Sequence, residues 1–454
     1  MLRRAVTAAG ILVMLAAAVG AVHAASQAPY EPATGCYLGA YIELDHNTAD
    51  DIGTFEQMVG KPHATYFRYV GYGQPFPYQW VKEMHARGIA PHIAWEPNHG
   101  LGAVRDDDYL HGWAQAAART GGPIFLRYAS EMNGNWMAYS GDPDLYIAKW
   151  RLVYRVMHEY APNVVMIWCP FATPRSTIPV YYPGDEYVDW VGVNIYNVLH
   201  MDGDPAKPPS DDPRDQLKPI YDMFAARKPI AICEYAATHY CVATKTKAVD
   251  FAIDNMTKLY SALPTQFPRV RMINWFSVDT ERDGLAHNNY CLTDDPEVLA
   301  QYRKLVADDY FISRVSDTHV VASTSPAAPE SDTELPLPEP TQPVPPTRLP
   351  LAGTRLGSAP PAGVAIVLQG ARPEAVSERV EIVADTGKQV QADAATFYVD
   401  GRFLAMTTVS PFRFTWDPTR LEPGVHDIKV VLSGYNDRTV ATAEASVIVV
   451  RPTP

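Results

Sequence analysis

The 454-residue sequence is short of positive charge and lacks several common catalytic motifs. It has 38 Lys and Arg against 51 Asp and Glu, which gives a formal net charge of −13. This excess of negative charge argues against a nucleic-acid partner, because phosphate binding needs clustered Lys and Arg. No Gly-x-Ser-x-Gly segment occurs, which excludes the nucleophile elbow of α/β-hydrolases. No CxxC pair occurs either, so the sequence predicts no metal site. No cofactor is predicted.

Long apolar runs are absent except at the N-terminus. Arg3 and Arg4 precede an apolar run from Ala5 to Val22, and small residues flank a cleavage position after Ala24. This layout is typical of a secretory signal peptide over residues 1–24, with a retained membrane anchor as the alternative. We therefore expect a secreted, periplasmic or cell-surface protein without a transmembrane segment in the mature chain.

Cysteine is scarce, and its five copies are an odd number. At least one thiol must then stay free in an exported protein. Cys233 and Cys241 are close enough in sequence to form a disulfide.

Proline is concentrated in one segment, because residues 323–361 hold 11 of the 40 prolines. Such a segment cannot build a core and favours an extended spacer. The sequence therefore predicts one domain over residues 35–315, a linker over 323–361 and a second domain over 362–452.

The first domain alternates strand-like and helix-like patterns. Apolar runs rich in β-branched and aromatic residues occur at Tyr37–Ile42, Thr65–Tyr69, Ile89–Trp95, Ile124–Tyr128, Val164–Cys169, Trp190–Ile195, Ile230–Cys233 and Met272–Phe276. Amphipathic helical patterns occur at Tyr78–Arg87, Asp107–Arg119, Asp144–Tyr160 and Thr246–Ala262. This order predicts an α/β fold, a (β/α)8 TIM barrel, with a doubly wound sheet as the alternative. The run Asp106-Asp107-Asp108 is read as a helix cap.

The second domain has no helical period. Asp400-Gly401 separates two short β-like runs, which is a strong hairpin signal. About seven short strands are expected, and their spacing predicts a small all-β, immunoglobulin-like sandwich.

Two glutamates follow strands of the predicted barrel, at the end where catalytic groups collect. Glu131 follows strand four and Glu234 follows strand seven. A carboxylate beside a buried run is costly unless it is paired or used. Two such groups across a barrel mouth would approach the ~5–5.5 Å separation that a retaining glycosidase needs. A rim salt bridge at each Glu is the structural alternative.

The segment Arg127-Tyr128-Ala129-Ser130-Glu131-Met132-Asn133-Gly134-Asn135-Trp136 resembles the acid/base segment of glycoside hydrolase family 26, the β-mannanase family. The resemblance continues through 146–151, 163–168, 182–185, 191–196 and 228–234, and it covers most of the barrel and none of the C-terminal domain. It implies a (β/α)8 barrel, retaining hydrolysis within β-linked polysaccharide, Glu131 as acid/base and Glu234 as nucleophile. Tyr196 matches the tyrosine that donates to the nucleophile, and Trp136 matches an aromatic wall of the cleft.

One position departs from the family pattern. The family usually has His immediately before the acid/base Glu, where this chain has Ser130. The family also contains enzymes that act on mixed-linkage glucan and on xylan, so the sugar and linkage stay open. Ser130 and its neighbour Asn133 are candidate substrate-binding residues.

Four further residues are candidates for binding substrate. Trp95 and Glu96 end strand three, Trp275 ends strand eight, and Arg68 on strand two could pair with the nucleophile. Core packing is the alternative for Trp275, and a structural ion pair is the alternative for Glu96 and Arg68.

Two functions remain open on these residues. The first is an exported, monomeric glycosidase, and the second is a non-hydrolysing glycan-binding or adhesion protein on the same barrel. The presence of both carboxylates and Tyr196 favours the first, whereas Ser130 favours the second.

Overall fold

The computed structural model describes residues 27–201, 204–279 and 288–315 of the first part of the chain. In the C-terminal part it describes residues 353–356, 365–369, 375–385, 392, 394–407, 412–416, 418–433 and 439–451. The predicted signal peptide, residues 1–24, lies outside these ranges. None of the helices within them is long and apolar enough to cross a membrane.

The first part of the chain is a closed barrel of eight parallel strands. Its strands in chain order are β1 (Cys36–Tyr41), β2 (Thr65–Gly71), β3 (Ala90–Glu96), β4 (Ile124–Tyr128), β5 (Val164–Trp168), β6 (Trp190–Asn197), β7 (Ile230–Ala237), β8 (Tyr240–Cys241), β9 (Thr246–Lys247), β10 (Val270–Phe276), β11 (Asn288–Asn289) and β12 (Phe311–Ile312). The barrel consists of β1 to β7 and β10, each paired with the next, and β10 pairs with β1. The predicted (β/α)8 barrel is confirmed, and the doubly wound alternative is wrong.

Helices cover the outside of the barrel. They are α1 (Ile52–Val59), α2 (Tyr78–Ala86), α3 (Asp108–Arg119), α4 (Pro143–Tyr160), α5 (Pro213–Phe224), α6 (Val249–Ala262) and α7 (Pro296–Val306). Between β5 and β6 the described chain forms two 3₁₀ turns instead of an α-helix, at Arg175–Tyr181 and Asp185–Tyr187. Helix α6 begins three residues later than predicted, because Thr246–Lys247 pair with β8 as strand β9.

Aspartates begin several of these helices. Asp51, Asp107 and Asp142 each accept a hydrogen bond from a backbone N–H in the first turn of α1, α3 and α4. Each such cap is worth about 1 kcal/mol relative to alanine. The Asp106–Asp108 run is therefore a cap, as the sequence predicts.

Residues along each barrel strand alternate between the interior and the helix layer, as the pleat of a strand requires. On β2, Thr65 and Tyr69 face inward, where Thr65 Oγ1 donates to Asn274 Oδ1 over 2.8 Å and Tyr69 donates to Glu234. Tyr66 faces outward and its ring packs edge-on against Phe55 of α1. This alternation decides which side chains reach the barrel mouth.

The amino-terminal end of the barrel is closed by the chain that leads into β1. The Trp190 indole donates to Pro29 O over 3.0 Å, and the Tyr37 hydroxyl donates to Tyr30 O over 2.9 Å. Glu31 is 4% exposed and forms an ion pair with Arg269. Ordered packing thus begins before residue 35, and the open mouth lies at the carboxyl ends of the strands.

The C-terminal part is a sandwich of two four-stranded sheets. Its strands are β13 (Gly353–Leu356), β14 (Ala365–Gln369), β15 (Val380–Asp385), β16 (Ala394–Val399), β17 (Arg402–Thr407), β18 (Arg413–Trp416), β19 (Gly424–Ser433) and β20 (Thr439–Val449). The sheet orders are β13-β14-β15-β18 and β17-β16-β19-β20, and buried residues of both form one core. Asp400 and Gly401, at φ 50° and 74°, turn the β16–β17 hairpin. The predicted immunoglobulin-like sandwich is confirmed.

Two predictions need correction. Strand β13 lies inside the segment 323–361 predicted as linker and pairs with β14, so the spacer ends before Gly353. Most of that segment lies outside the described residues. The predicted Cys233–Cys241 disulfide is wrong, because all five cysteines are free and buried.

Candidate active site

The chain bends sharply at the end of β4, where it presents Glu131 to the barrel mouth. Ala129 and Glu131 adopt φ of 46° and 58°, a left-handed conformation that non-glycine residues rarely hold. The backbone N–H of Glu131 donates to Cys169 O over 2.8 Å, which fixes this turn against the chain after β5. Backbone strain of this kind is typical of functional sites.

The Glu131 carboxyl is held by two neutral donors. Asn194 Nδ2 donates to Oε1 over 2.6 Å, and Trp136 Nε1 donates to Oε2 over 2.7 Å. Burial and the nearby charge of Glu234 raise the pKa of Glu131 to about 7, although Asn194, Trp136 and Arg127 act to lower it. Such a carboxyl keeps its proton close to neutral pH, as a general acid must.

Glu234 reaches the same mouth through a β-bulge in β7. Val193 pairs with Ile232, whereas the next residue of β6, Asn194, pairs with Glu234, so β7 contains one extra residue. Regular alternation from Ile232 would turn Glu234 toward the helices. The bulge instead turns it into the barrel, a use of bulges that is common beside active sites.

The Glu234 carboxylate receives three strong donors. Arg127 Nη2 lies 2.5 Å from Oε1, Tyr69 also donates to Oε1, and the Tyr196 hydroxyl donates to Oε2. Arg127 is fully buried and Glu234 is 4% exposed, so this is a desolvated ion pair. Burial disfavours the guanidinium charge, but Glu234 together with the smaller contributions of Tyr69, Cys169 and Cys233 outweighs burial, so the pKa of Arg127 is raised. Glu234 is therefore fixed in place by one buried guanidinium and two tyrosine hydroxyls.

Asn194 joins the two carboxyls into one network. Its Nδ2 donates to Glu131, while its Oδ1 accepts from Arg127 Nη1 over 3.0 Å. Since Arg127 also holds Glu234, a single arginine–asparagine pair links the two glutamates. The structure thus brings together Glu131, Glu234, Tyr196 and Trp136 of the predicted site.

Three residues of this network were not among the predicted site residues: Tyr69, Arg127 and Asn194. Arg127 carries a signal in the sequence, because it interrupts an otherwise apolar strand on its inward-facing side. Tyr69 also lies on an inward position, near the end of β2. Because every second residue of a barrel strand faces inward, marking those positions on each strand would have identified both residues.

Ser130 and Glu96 form a second polar pair beside Glu131. Ser130 Oγ donates to Glu96 Oε1 over 2.5 Å, and Tyr139 donates to the other carboxyl oxygen. Burial raises the pKa of Glu96, while Arg127 and these two donors act to lower it. Glu96 is 5% exposed, so Ser130 uses its hydroxyl on a buried carboxyl.

Aromatic rings border the mouth. The Trp136 ring is 48% exposed and stands edge-on to Phe171 at 5.4 Å between centroids. The Tyr69 ring is 42% exposed, and Tyr41 stands edge-on to it at 5.4 Å while stacking on Phe276. Exposed ring faces beside two carboxyls suit the apolar faces of sugar rings.

Two predicted aromatic candidates lie elsewhere. Trp95 is fully buried and stacks on Trp113 of α3 at 4.0 Å, and Trp275 is fully buried against Tyr302 of α7. Both occupy outward-facing positions of their strands, so no sugar can stack on them. The inward neighbour of Trp275, Phe276, contributes a ring at the mouth instead.

Arg68 and Asn133 also have other partners than predicted. Arg68 faces outward, where its Nε lies 3.0 Å from Glu43 Oε1 and its guanidinium covers Trp80. The expectation that it pairs with Glu234 is wrong, because Arg127 forms that ion pair. Asn133 is buried and bonds Phe171 N and O at 2.8 and 3.0 Å, so it anchors the chain after β5.

Comparison with known proteins is consistent with this geometry. Residues 103–205 match the glycosyl hydrolase family 26 profile, and residues 369–430 match the bacterial Ig domain. Endoglucanase H of Acetivibrio thermocellus is 24% identical over 293 residues, which cover 60% of this chain and 30% of that protein. The β-1,3-xylanase TXYA of a Vibrio species is 31% identical over 106 residues, 22% of either chain.

The chain thus spans less than a third of the length of these curated relatives. Among solved structures, a modular endo-β-1,4-mannanase from Cellulomonas fimi covers 92% of this chain, at 94% of its own length, with 15% identity and a TM-score of 0.48. By sequence, part of the barrel is thus similar to glycosyl hydrolase family 26, and part of the sandwich is similar to a bacterial Ig domain.

Proposed function

We propose that this chain is an exported, monomeric endo-β-glycosidase that hydrolyses β-linked polysaccharide with retention of anomeric configuration. Glu131 is the general acid/base and Glu234 is the nucleophile. The observation that carries the proposal is the contrast between the two carboxyls. Glu131 has a pKa raised to about 7, whereas Glu234 is bound by one guanidinium and two tyrosine hydroxyls. Environments that differ in this way suit an acid and a nucleophile.

The reaction then has two steps. In the first, Glu131 gives its proton to the glycosidic oxygen while Glu234 attacks the anomeric carbon, and a glycosyl ester forms as the leaving sugar departs. In the second, the ionised Glu131 takes a proton from water, whose oxygen displaces Glu234 from the opposite face. Two inversions give net retention, and Arg127 neutralises the carboxylate that Glu234 regains.

The proposed substrate class is supported by the exposed aromatic residues at the mouth and by the named relatives. Trp136 and Tyr69 offer exposed faces on which pyranose rings can stack. The relatives are an endoglucanase and a β-1,3-xylanase, which supports a β-glycan. Ser130 leaves more room than the histidine expected from the family, and its hydroxyl is engaged with Glu96. A β-mannan or a related β-glycan is therefore the proposed substrate.

The anomeric outcome tests the proposal. We expect the first product to keep the β configuration, because the reaction passes through a glycosyl ester on Glu234. Proton NMR of the full chain acting on β-mannan, mixed-linkage β-glucan and xylan, recorded before mutarotation, reads the configuration directly. A first product of α configuration would exclude Glu234 as nucleophile. Absence of hydrolysis across the panel would favour the glycan-binding alternative.

The pH dependence has a defined sign. A general acid works only while protonated, so kcat/KM on a natural glycan should fall as pH rises through about 7, the pKa to which Glu131 is raised. Trp136→Phe keeps a ring but removes the N–H that donates to Glu131, a contact that lowers this pKa. The alkaline limb should therefore move to higher pH in Trp136→Phe.

Pre-steady-state or initial rates across pH provide the measurement. Trp80→Phe is a matched control, because Trp80 lies under Arg68 outside the site and its replacement should leave the limb in place. An alkaline limb near the ordinary glutamate pKa of ~4.3 would contradict the role of Glu131.

A further inference from the structure

Three metal-ligating side chains meet at the barrel rim, apart from the two glutamates. His46 lies between β1 and α1, and Cys291 and Asp294 lie between β11 and α7. One ligand atom from each falls within 4.8 Å of the others. Loops that follow the first and the last barrel strand therefore supply one cluster, across the line where the barrel closes. We call these three residues the seam cluster.

Neighbouring amides hold Asp294 in place. Asn47 Nδ2 donates to its Oδ1 over 2.6 Å, and Asn289 Nδ2 donates to its Oδ2 over 2.7 Å. His46 Nε2 lies 3.2 Å from the same Oδ1. Metal-binding carboxylates are typically oriented by such outer hydrogen bonds.

The thiol of Cys291 is tied to a buried carboxylate through one hydroxyl. Cys291 Sγ lies 3.4 Å from Thr293 Oγ1, which donates to Asp45 Oδ1 over 2.7 Å. Asp45 is fully buried and also accepts from Ser277 Oγ over 2.7 Å. Thr293 thus links the sulfur to Asp45 of the loop after β1.

Among the described residues, the surroundings of the seam cluster carry an excess of negative charge. Two carboxylates, Asp45 and Asp294, both lie near Cys291, and no described Lys or Arg forms an ion pair with either of them. The Nδ1 of His46 is buried without a hydrogen-bond partner among the described residues. A cation would compensate the acids and engage the imidazole.

We propose that the seam cluster binds one Zn²⁺ ion through His46, Cys291 and Asp294. Sulfur, imidazole and carboxylate together suit Zn²⁺, whereas Ca²⁺ and Mg²⁺ take oxygen ligands. His46 and Asp294 side chains are 27% and 18% exposed, so an ion can enter and water can fill the fourth position. The ion joins the loops after β1 and β10 and so ties the barrel closed at its mouth.

Cobalt provides a direct probe of the thiolate ligand. The full chain, freed of metal with a chelator and kept reduced, is titrated with Co²⁺ alone. We expect a thiolate-to-cobalt charge-transfer absorption that saturates at one equivalent and disappears when Zn²⁺ is added. The same titration in Cys291→Ser should show no such absorption. In His46→Gln the Zn²⁺ affinity should fall by at least ~100-fold, the upper range seen when supporting residues alone are lost.

Cys36→Ser is the matched control, because Cys36 is also a free, buried thiol but lies in β1 outside the cluster. It should retain the absorption at one equivalent. Failure of the unaltered chain to give the absorption overturns the proposal without need of any variant. An unchanged absorption in Cys291→Ser, or its loss in Cys36→Ser, also overturns it. No substrate is used, so these outcomes are independent of the catalytic assignment.

Discussion

Glu234→Ala should lose at least ~10⁴-fold in kcat on a natural glycan, because no glycosyl ester can form without the nucleophile. The loss should persist with an activated aryl β-glycoside, since a better leaving group does not replace the missing carboxylate. Azide can enter the space left by the side chain and attack the anomeric carbon from that face. A single inversion then gives an α-glycosyl azide. Steady-state rates and NMR of the azide product measure both effects.

A carboxylate outside the site provides the control. Glu186 is exposed between β5 and β6, and Glu186→Ala should keep the full rate and give no azide product. Glu234→Ala also leaves Arg127 as an unpaired buried charge, so circular dichroism should first establish that the variant is folded. The isosteric Glu234→Gln, which keeps the shape of the site, should lose as much activity as the alanine variant. A β-glycosyl azide from Glu234→Ala would mean that the two roles are exchanged.

Glu131→Ala should lose about 10²–10⁴-fold on a natural glycan, because the leaving oxygen no longer receives a proton. An activated aryl glycoside needs little acid assistance, so its first step should proceed and the glycosyl ester should accumulate. A burst of released aryl alcohol followed by slow turnover is the expected time course. Azide needs no general base, so it should restore turnover and give a β-glycosyl azide after two inversions.

The same variant also removes the group that sets the alkaline limb. With the natural glycan, the residual kcat/KM of Glu131→Ala should lose its fall near pH 7, while Glu186→Ala keeps it. If Glu131→Ala keeps the rate of the unaltered chain on the natural glycan, the acid is another group. Glu96, buried with a raised pKa beside Ser130, would be the next residue to replace.

The barrel could be predicted because its signal is repeated. Each strand is a short apolar run buried on both faces, and each helix has its own apolar stripe, so an error at one boundary does not affect the count. Asp107 and Asp142 mark helix starts through local hydrogen bonds that depend only on neighbouring residues. Once eight strands are counted, a closed barrel requires the first strand to pair with the last, as β1 does with β10.

The site was harder to predict because it depends on which way each side chain points. Trp95 and Trp275 lie next to the ends of their strands and Arg68 lies within β2, but all three are on the outward-facing side of the pleat. Arg127 and Tyr69 lie on the inward side and bind Glu234. Position along a strand does not by itself distinguish the outward-facing residues from the inward-facing ones. Position combined with the inward–outward alternation of side chains does.

The role of Asn194 could not be deduced from sequence alone. Asn194 lies on β6, where it donates to Glu131 and accepts from Arg127 at the end of β4. These contacts form only once two segments that are distant in sequence meet. The seam cluster has the same character, because His46 and Cys291 come from opposite ends of the barrel sequence. Motif spacing finds ligands that are close in sequence, and these are not.

The bulge in β7 adds one side chain to a barrel interior that is already full. Cys233, the extra residue, fills space on the inner side of β6, next to Gly192. A Cβ on Gly192 would lie 2.7 Å from Cys233 Sγ and 2.8 Å from Cys169 Cβ, closer than real atoms approach. Glycine is needed at position 192 because a larger side chain would not fit, and not because the backbone φ is unusual. The bulge that turns Glu234 into the barrel therefore depends on position 192 of the adjacent strand having no Cβ.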